Sequence, residues 1–148
     1  MSVFPATIRW SGSTASRDYS RAAEASAPGK VNIPVSAGDP ALGGDLTRWN
    51  PEDLLAASLG MCHMLTFLAL ASKVGLDVRH YEGASEALLE PVDRVTQVTT
   101  IRLFPTITLA PDSDVAKAGV MFEKAHRYCF IANSIKCAVV MEPVFKFA

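Results

Sequence analysis

From Leu54 to Ala71 the chain reads LLAASLGMCHMLTFLALA, with no charged residue and only Ser58, His63 and Thr66 as marked polar interruptions. The flanks make this run a helix. Asn50 is a good N-cap, Pro51 suits the first helical position, Glu52 and Asp53 suit the positive end of the dipole, and Gly75 supplies a stop. Leu55, Leu59, Cys62, Thr66 and Ala69 follow helical spacing, but the positions between them are also mostly apolar. A helix that is apolar nearly all round must be covered on most sides. The run is marginal for a membrane span. In a chain this short, a second subunit is the expected cover.

The whole chain has 148 residues, 49% hydrophobic and 20% charged, which predicts one folded domain over 1–148 with a substantial core. The formal net charge of −1, spread along the chain, gives no basic stripe for nucleic acid. The first ten residues, MSVFPATIRW, lack the charged and then apolar pattern of a secretory signal, so a cytoplasmic location is expected. In a reducing compartment a structural disulfide is improbable. The three cysteines are then inert core thiols, metal ligands or redox groups.

Before the apolar helix, Val3 to Trp10 and Val31 to Val35 read as strands, the latter at an edge because of Pro34. Ala37 to Arg48 reads as a loop whose glycines match no phosphate-binding spacing. After the helix, Asp77 to Glu90 and Arg94 to Leu109 read as strands, with Pro91-Val92-Asp93 as the hairpin connection. In the second, Ile101, Leu103, Ile107 and Leu109 alternate with polar residues, and Pro105 keeps the register. A second helix starts near Asp112-Ser113-Asp114, with Ala118, Met121, Phe122, Ala125 and Cys129 on one face. A final strand runs from about Lys136 to Phe145. The order predicts an α+β fold, two long helices stacked on an antiparallel sheet.

Cys62 and Cys129 each face inward from one of the two helices, so helix packing could bring their sulfurs within disulfide reach. Singly, each is as readily a small core hydrophobe. Cys137, in a strand, reads as a filler remote from the pair. A reactive thiol must ionise, and burial opposes that, so a positive charge is needed close by. Arg17 and Arg21 in SRDYSR are the candidates, since arginine stays charged when buried. Glu52 is available as their partner, although it is also a plain helix N-terminal carboxylate. Glu52 and Cys62 lie ten residues apart, about 15 Å along a straight helix and roughly 80° around it. Two other readings use the histidines. His126 and Cys129, with Cys62 or His63 opposite, could ligate zinc, though paired metal-ligand spacings are missing. A Cys–His nucleophile is disfavoured because His63, next to Cys62, points about 100° away on the helix.

Asn50-Pro-Glu-Asp-Leu-Leu-Ala-Ala-Ser-Leu-Gly-Met-Cys62 resembles the first signature of the OsmC/Ohr family, and Ala125-His-Arg-Tyr-Cys129-Phe-Ile-Ala-Asn-Ser134 resembles the second. The resemblance covers the whole chain. It implies an intertwined α+β homodimer with the cysteine-bearing helices at its centre and two sites at the interface. It also implies that Cys62 is the peroxidatic cysteine, Cys129 the resolving cysteine, and Glu52 the carboxylate that holds a catalytic arginine. Both Arg17 and Arg21 match that arginine, with Arg21 slightly favoured. Departures point to a side branch of OsmC-like proteins: His63 replaces the aromatic residue that usually follows the first cysteine, and Phe130 replaces a frequent proline.

The function so implied is reduction of hydroperoxides, in oxidative-stress defence. Cys62 thiolate becomes a sulfenic acid, Cys129 closes a disulfide, and an external dithiol reopens it. No cofactor is needed, and the apolar surroundings favour an organic hydroperoxide. Neither nucleic acid nor membrane is an expected partner. The alternative is a non-catalytic redox sensor, or a small-molecule-binding dimer, carrying the same thiol pair.

Overall fold

Hydrophobic patterning changes character near residue 54, and the fold follows it. A computed structural model describes residues 1–148 as two compact units, Met1–Leu54 and Leu55–Ala148. The first unit is a small antiparallel sheet in the order β1 (Thr7–Arg9), β2 (Ala23–Ser26), β3 (Ile33–Val35). Its strands are shorter than the sequence suggests, because β1 is exposed along its length and has little to bury. Pro34 lies in the terminal strand as expected; its carbonyl accepts the Trp49 amide at 3.1 Å, so a single bridge takes the free side. In the loop that follows, a Cβ on Gly44 would collide with the carbonyl oxygens of Ala37 and Asp39. The glycine is there for a close backbone approach, not for a phosphate.

Helix α1 (Pro51–Lys73) begins as its flanks predict: the Asp53 amide donates to Asn50 Oδ1 at 2.7 Å. It ends at Gly75, φ 69°, where the Leu76 amide reaches back to the Ala71 carbonyl at 3.0 Å. The buried stripe is Ala56, Leu59, His63, Phe67 and Ala71, rotated from the expected one, with Leu59 common to both. Length and composition would allow α1 to cross a bilayer, but this stripe is packed into the core of the second unit.

Strands β4 (Val78–Val92) and β5 (Val95–Leu109) form a long antiparallel hairpin. Its turn is Asp93-Arg94, both at positive φ (49° and 68°), a two-residue connection whose twist suits a hairpin. Ile101, Leu103, Pro105, Ile107 and Leu109 are all buried, so the alternation in the sequence marks the core face correctly. Helix α2 (Val115–Tyr128) is capped by Asp114, whose carboxylate accepts from the Lys117 amide at 3.0 Å.

The expected final strand is two strands, β6 (Ala138–Met141) and β7 (Val144–Phe147), interrupted at Glu142-Pro143 where proline has no amide to donate. Both run parallel to β5, with Ile101 opposite Val139 and Ile107 opposite Phe145. The sheet is therefore mixed, not antiparallel. The reason is the connection: β5 leaves through α2 and returns, and a helical crossover delivers a parallel neighbour. The α+β class stands.

The core of the second unit has two parts. One gathers Phe67, Ala71, Ile107, Leu109, Phe122 and Ala125; the other gathers Ala56, Leu59, Ile101, Leu103 and Cys129.

Candidate functional site

Cys62 lies in the fourth turn of α1, half-buried, against the cluster that contains the fully buried Cys129. The two thiols meet as the helical spacing suggests, and both are free. Cys129 is not within α2. It is the residue that closes the helix, in an extended conformation (φ −67°, ψ 116°), and its amide donates to the His126 carbonyl at 3.3 Å. The chain then wraps the sulfur in a short turn, Ala132–Ser134. The Ala132 amide donates to Cys129 Sγ at 3.4 Å, and Asn133 secures the Cys129 carbonyl from its side-chain nitrogen at 2.8 Å. Burial pushes the Cys129 thiol up to about 11; the Ala132 amide pulls the other way, and the neighbouring Cys62 raises it further.

Cys137 is not remote. The alternation Ile135, Cys137, Val139, Met141 turns these side chains towards the same cluster, so all three cysteines of the chain pack against it. Its position just before β6, paired to β5 at Ala138, carries it there.

Arg17, Arg21 and Glu52 belong to the first unit, and Cys62 and Cys129 to the second. Arg17 is exposed. Arg21 is half-buried, its guanidinium carbon 5.4 Å above the Tyr19 ring, with Nε buried and unpartnered. Tyr19 is itself held edge-on by Trp10, ring centres 5.9 Å apart. The ion pairs are Arg9–Glu24, Arg48–Asp45 and Arg79–Asp77, so neither candidate arginine pairs with Glu52 in the single chain.

Two histidines adjoin the thiols in sequence and meet in space. His63 is fully buried, its ring 4.4 Å from that of Phe122 and its Nε2 3.1 Å from the Phe122 carbonyl. His126 on α2 lies 6.4 Å away, ring centre to ring centre. Burial drives His63 down to about 4; the Phe122 carbonyl opposes this and His126 adds to it. In the single chain, no three His, Cys, Asp or Glu side chains converge in a way that could hold a metal ion. The sequence signals that could have found the pair were present: a histidine inside an apolar helix, and another one turn before Cys129.

Comparison with known proteins bears on the family and the fold. The model of the OsmC-like protein family matches residues 43–143. The solved structure of an OsmC-like protein of unknown function from Vibrio cholerae is 30% identical, with a TM-score of 0.88 over 97% of this chain and all of that one. An organic hydroperoxide resistance protein from Elizabethkingia anophelis shares the fold at 16% identity, with a TM-score of 0.73 over all of this chain and 98% of that one. The uncharacterized protein YmaD of Bacillus subtilis is 26% identical over 96 residues, a match that spans 63% of this chain and 64% of that relative. With one family model over two thirds of its length and a full-length structural counterpart, the chain belongs to the OsmC-like protein family.

Proposed function

We propose that the protein is a thiol-dependent peroxidase that reduces organic hydroperoxides by a two-cysteine cycle in the cytoplasm. The observation that carries this reading is the meeting of Cys62 and Cys129 on one apolar cluster, the first half-buried and the second fully enclosed. That asymmetry fits two roles. The more accessible sulfur takes the peroxide oxygen and becomes a sulfenic acid; the enclosed one attacks it and leaves a disulfide for an external dithiol to reduce. The apolar lining favours an alkyl or aryl hydroperoxide over hydrogen peroxide. The Elizabethkingia anophelis fold relative, an organic hydroperoxide resistance protein, is in keeping with this.

Arg21 is the cation we assign to the Cys62 thiolate, with Glu52 as its carboxylate partner. Its support is the stacked, half-buried guanidinium with an unused buried nitrogen, which Arg17 lacks. Steady-state reduction of cumene hydroperoxide with dithiothreitol or a lipoyl dithiol tests the reading. We expect turnover by the wild type, slowed at least tenfold in Arg21→Ala and little changed in Arg17→Ala. No turnover with any dithiol leaves a redox sensor instead.

The same chemistry is assigned to a homodimer. Met61 and Leu65 on α1 are 57% and 56% exposed in the single chain, and Val120, Tyr128 and Phe130 are exposed near α2. Apolar surface on this scale calls for cover. Sedimentation equilibrium at micromolar concentration is expected to give twice the chain mass of 15.9 kDa. A stable monomer would remove the dimer and the shared site with it.

A further inference from the structure

We propose that Tyr19, backed by Trp10, is the residue that positions the Arg21 guanidinium for its work on Cys62, a role that rests on the peroxidase reading above. The need for such a residue lies in the side chain itself. A long charged side chain keeps most of its rotamers unless something holds it. The ion pairs of the single chain engage Arg9, Arg48 and Arg79, so no carboxylate holds Arg21 there. Its Nε is buried without a partner, a state that costs free energy and favours swinging the stem out to water. What opposes that is the ring of Tyr19, whose centre is 5.4 Å from the guanidinium carbon. An aromatic face attracts a cation at this distance, and arginine in particular stacks on such a face.

Local structure explains why the ring is there. Trp10 directly follows β1, whose last residue, Arg9, pairs with Glu24 of β2. Tyr19 and Arg21 lie on the segment that leads back into β2. Trp10 Nε1 donates to the Ser20 carbonyl at 2.9 Å, and Ser20 is the residue between Tyr19 and Arg21. The indole also meets the Tyr19 ring nearly at right angles, 79°, with centres 5.9 Å apart, an arrangement aromatic pairs favour. One side chain thus fixes both the peptide and the ring. The Arg21 amide is tied in turn to the Gly43 carbonyl at 3.3 Å, and the Ala22 amide to Ser20 Oγ at 3.2 Å. The backbone of Arg21 is therefore held by hydrogen bonds and its tip by Tyr19. All of these residues belong to the first unit. Arg17, in the same segment, is exposed.

Tyr19 acts on the reaction only through Arg21, which makes it a positioning residue. Two consequences follow from the geometry. The contact uses the ring and not the hydroxyl, so phenylalanine should serve at position 19 and an aliphatic side chain should not. The effect of losing the ring should also vanish where Arg21 is already missing, because the two then have no interaction left to break.

The experiment follows the loss of reduced Cys62 in the full-length protein under excess cumene hydroperoxide at pH 7, by quenched alkylation and mass spectrometry. Tyr19→Leu is expected to slow this first oxidation about fivefold, the factor a lost cation–aromatic contact allows. Tyr19→Phe should run at the wild-type rate, a rescue that separates the ring face from the hydroxyl. Trp10→Phe should slow the oxidation in the same direction and by less, since it loses the bond to Ser20 and retains an aromatic edge. In the Arg21→Ala background, Tyr19→Leu should add nothing. A wild-type rate in Tyr19→Leu alongside a slowed Arg21→Ala overturns the inference alone. So does an equal slowing by Tyr19→Leu in both backgrounds, which is what a merely structural ring would give. An Arg21→Ala protein that oxidises at the wild-type rate removes the assignment of Arg21 and the inference with it. A wild type whose Cys62 does not react overturns the peroxidase reading as well.

Discussion

Replacing Cys62 by serine is expected to reduce hydroperoxide turnover to the background of dithiol alone, whereas Cys129→Ser should complete the first oxidation and then stall. The difference follows from where the sulfurs sit. Cys62 is half-buried at the surface of the cluster, and Cys129 is enclosed by Leu59, Ile101, Leu103 and the turn at Ala132. Removing the outer thiol leaves the peroxide nothing to meet, since a thiol held up to about 11 supplies little nucleophile at neutral pH. Removing the inner one leaves a sulfenic acid with no resolving partner. Cys137 faces the same cluster and is the reserve thiol. In Cys129→Ser, a slow Cys62–Cys137 disulfide would show that it can substitute, and Cys129→Ser with Cys137→Ser should then retain the sulfenate. Full peroxidase activity in Cys62→Ser would end the assignment.

The second large effect is on stability in acid. His63 is neutral in the folded protein down to about pH 4, while in the unfolded chain it binds its proton near 6.5. Above pH 6.5 neither state is protonated at this residue, and it adds no pH dependence. Between 6.5 and 4 the unfolded chain binds the proton and the folded one does not, so stability falls as pH falls, by about 1.4 kcal/mol per unit. The loss reaches about 2.5 kcal/mol by pH 4.5 and levels off below 4, a large share of the 5–15 kcal/mol typical of a domain. His63→Phe retains a ring of similar size against Phe122 and removes the titration. The Phe122 carbonyl keeps its helical partner, the amide four residues on. Urea unfolding from pH 7 to 4.5 should show the variant losing less stability than the wild type by this margin. Equal slopes would mean that folded His63 binds its proton as readily as the unfolded chain does.

These expectations trace back unequally to the sequence. Helix α1 was legible from end to end, because Asn50, Pro51 and Gly75 are local signals and each acts within one turn of its own position. The core face of β5 was equally plain, since alternation of Ile101, Leu103, Ile107 and Leu109 is a property of the strand itself. The thiol pair could be read from two helical faces. What could not be read was anything fixed by partners far along the chain.

The parallel seating of β6 and β7 depends on α2 crossing over the sheet, and nothing within residues 138–147 encodes direction. Cys137 reaches the thiol cluster because that strand lies beside β5, so it was mistaken for a remote filler. The stripe that α1 buries was ambiguous for the opposite reason. Nearly every position is apolar, so hydrophobicity alone ranks no face above another, and packing against β5 and α2 chose His63 and Phe67. His63 shows the limit most clearly. Its neighbours in sequence, Cys62 and Met64, say only that a polar ring lies in an apolar helix. Whether that ring is a ligand, a base or a buried neutral donor was settled by the Phe122 carbonyl and the His126 ring, 59 and 63 residues further along the chain.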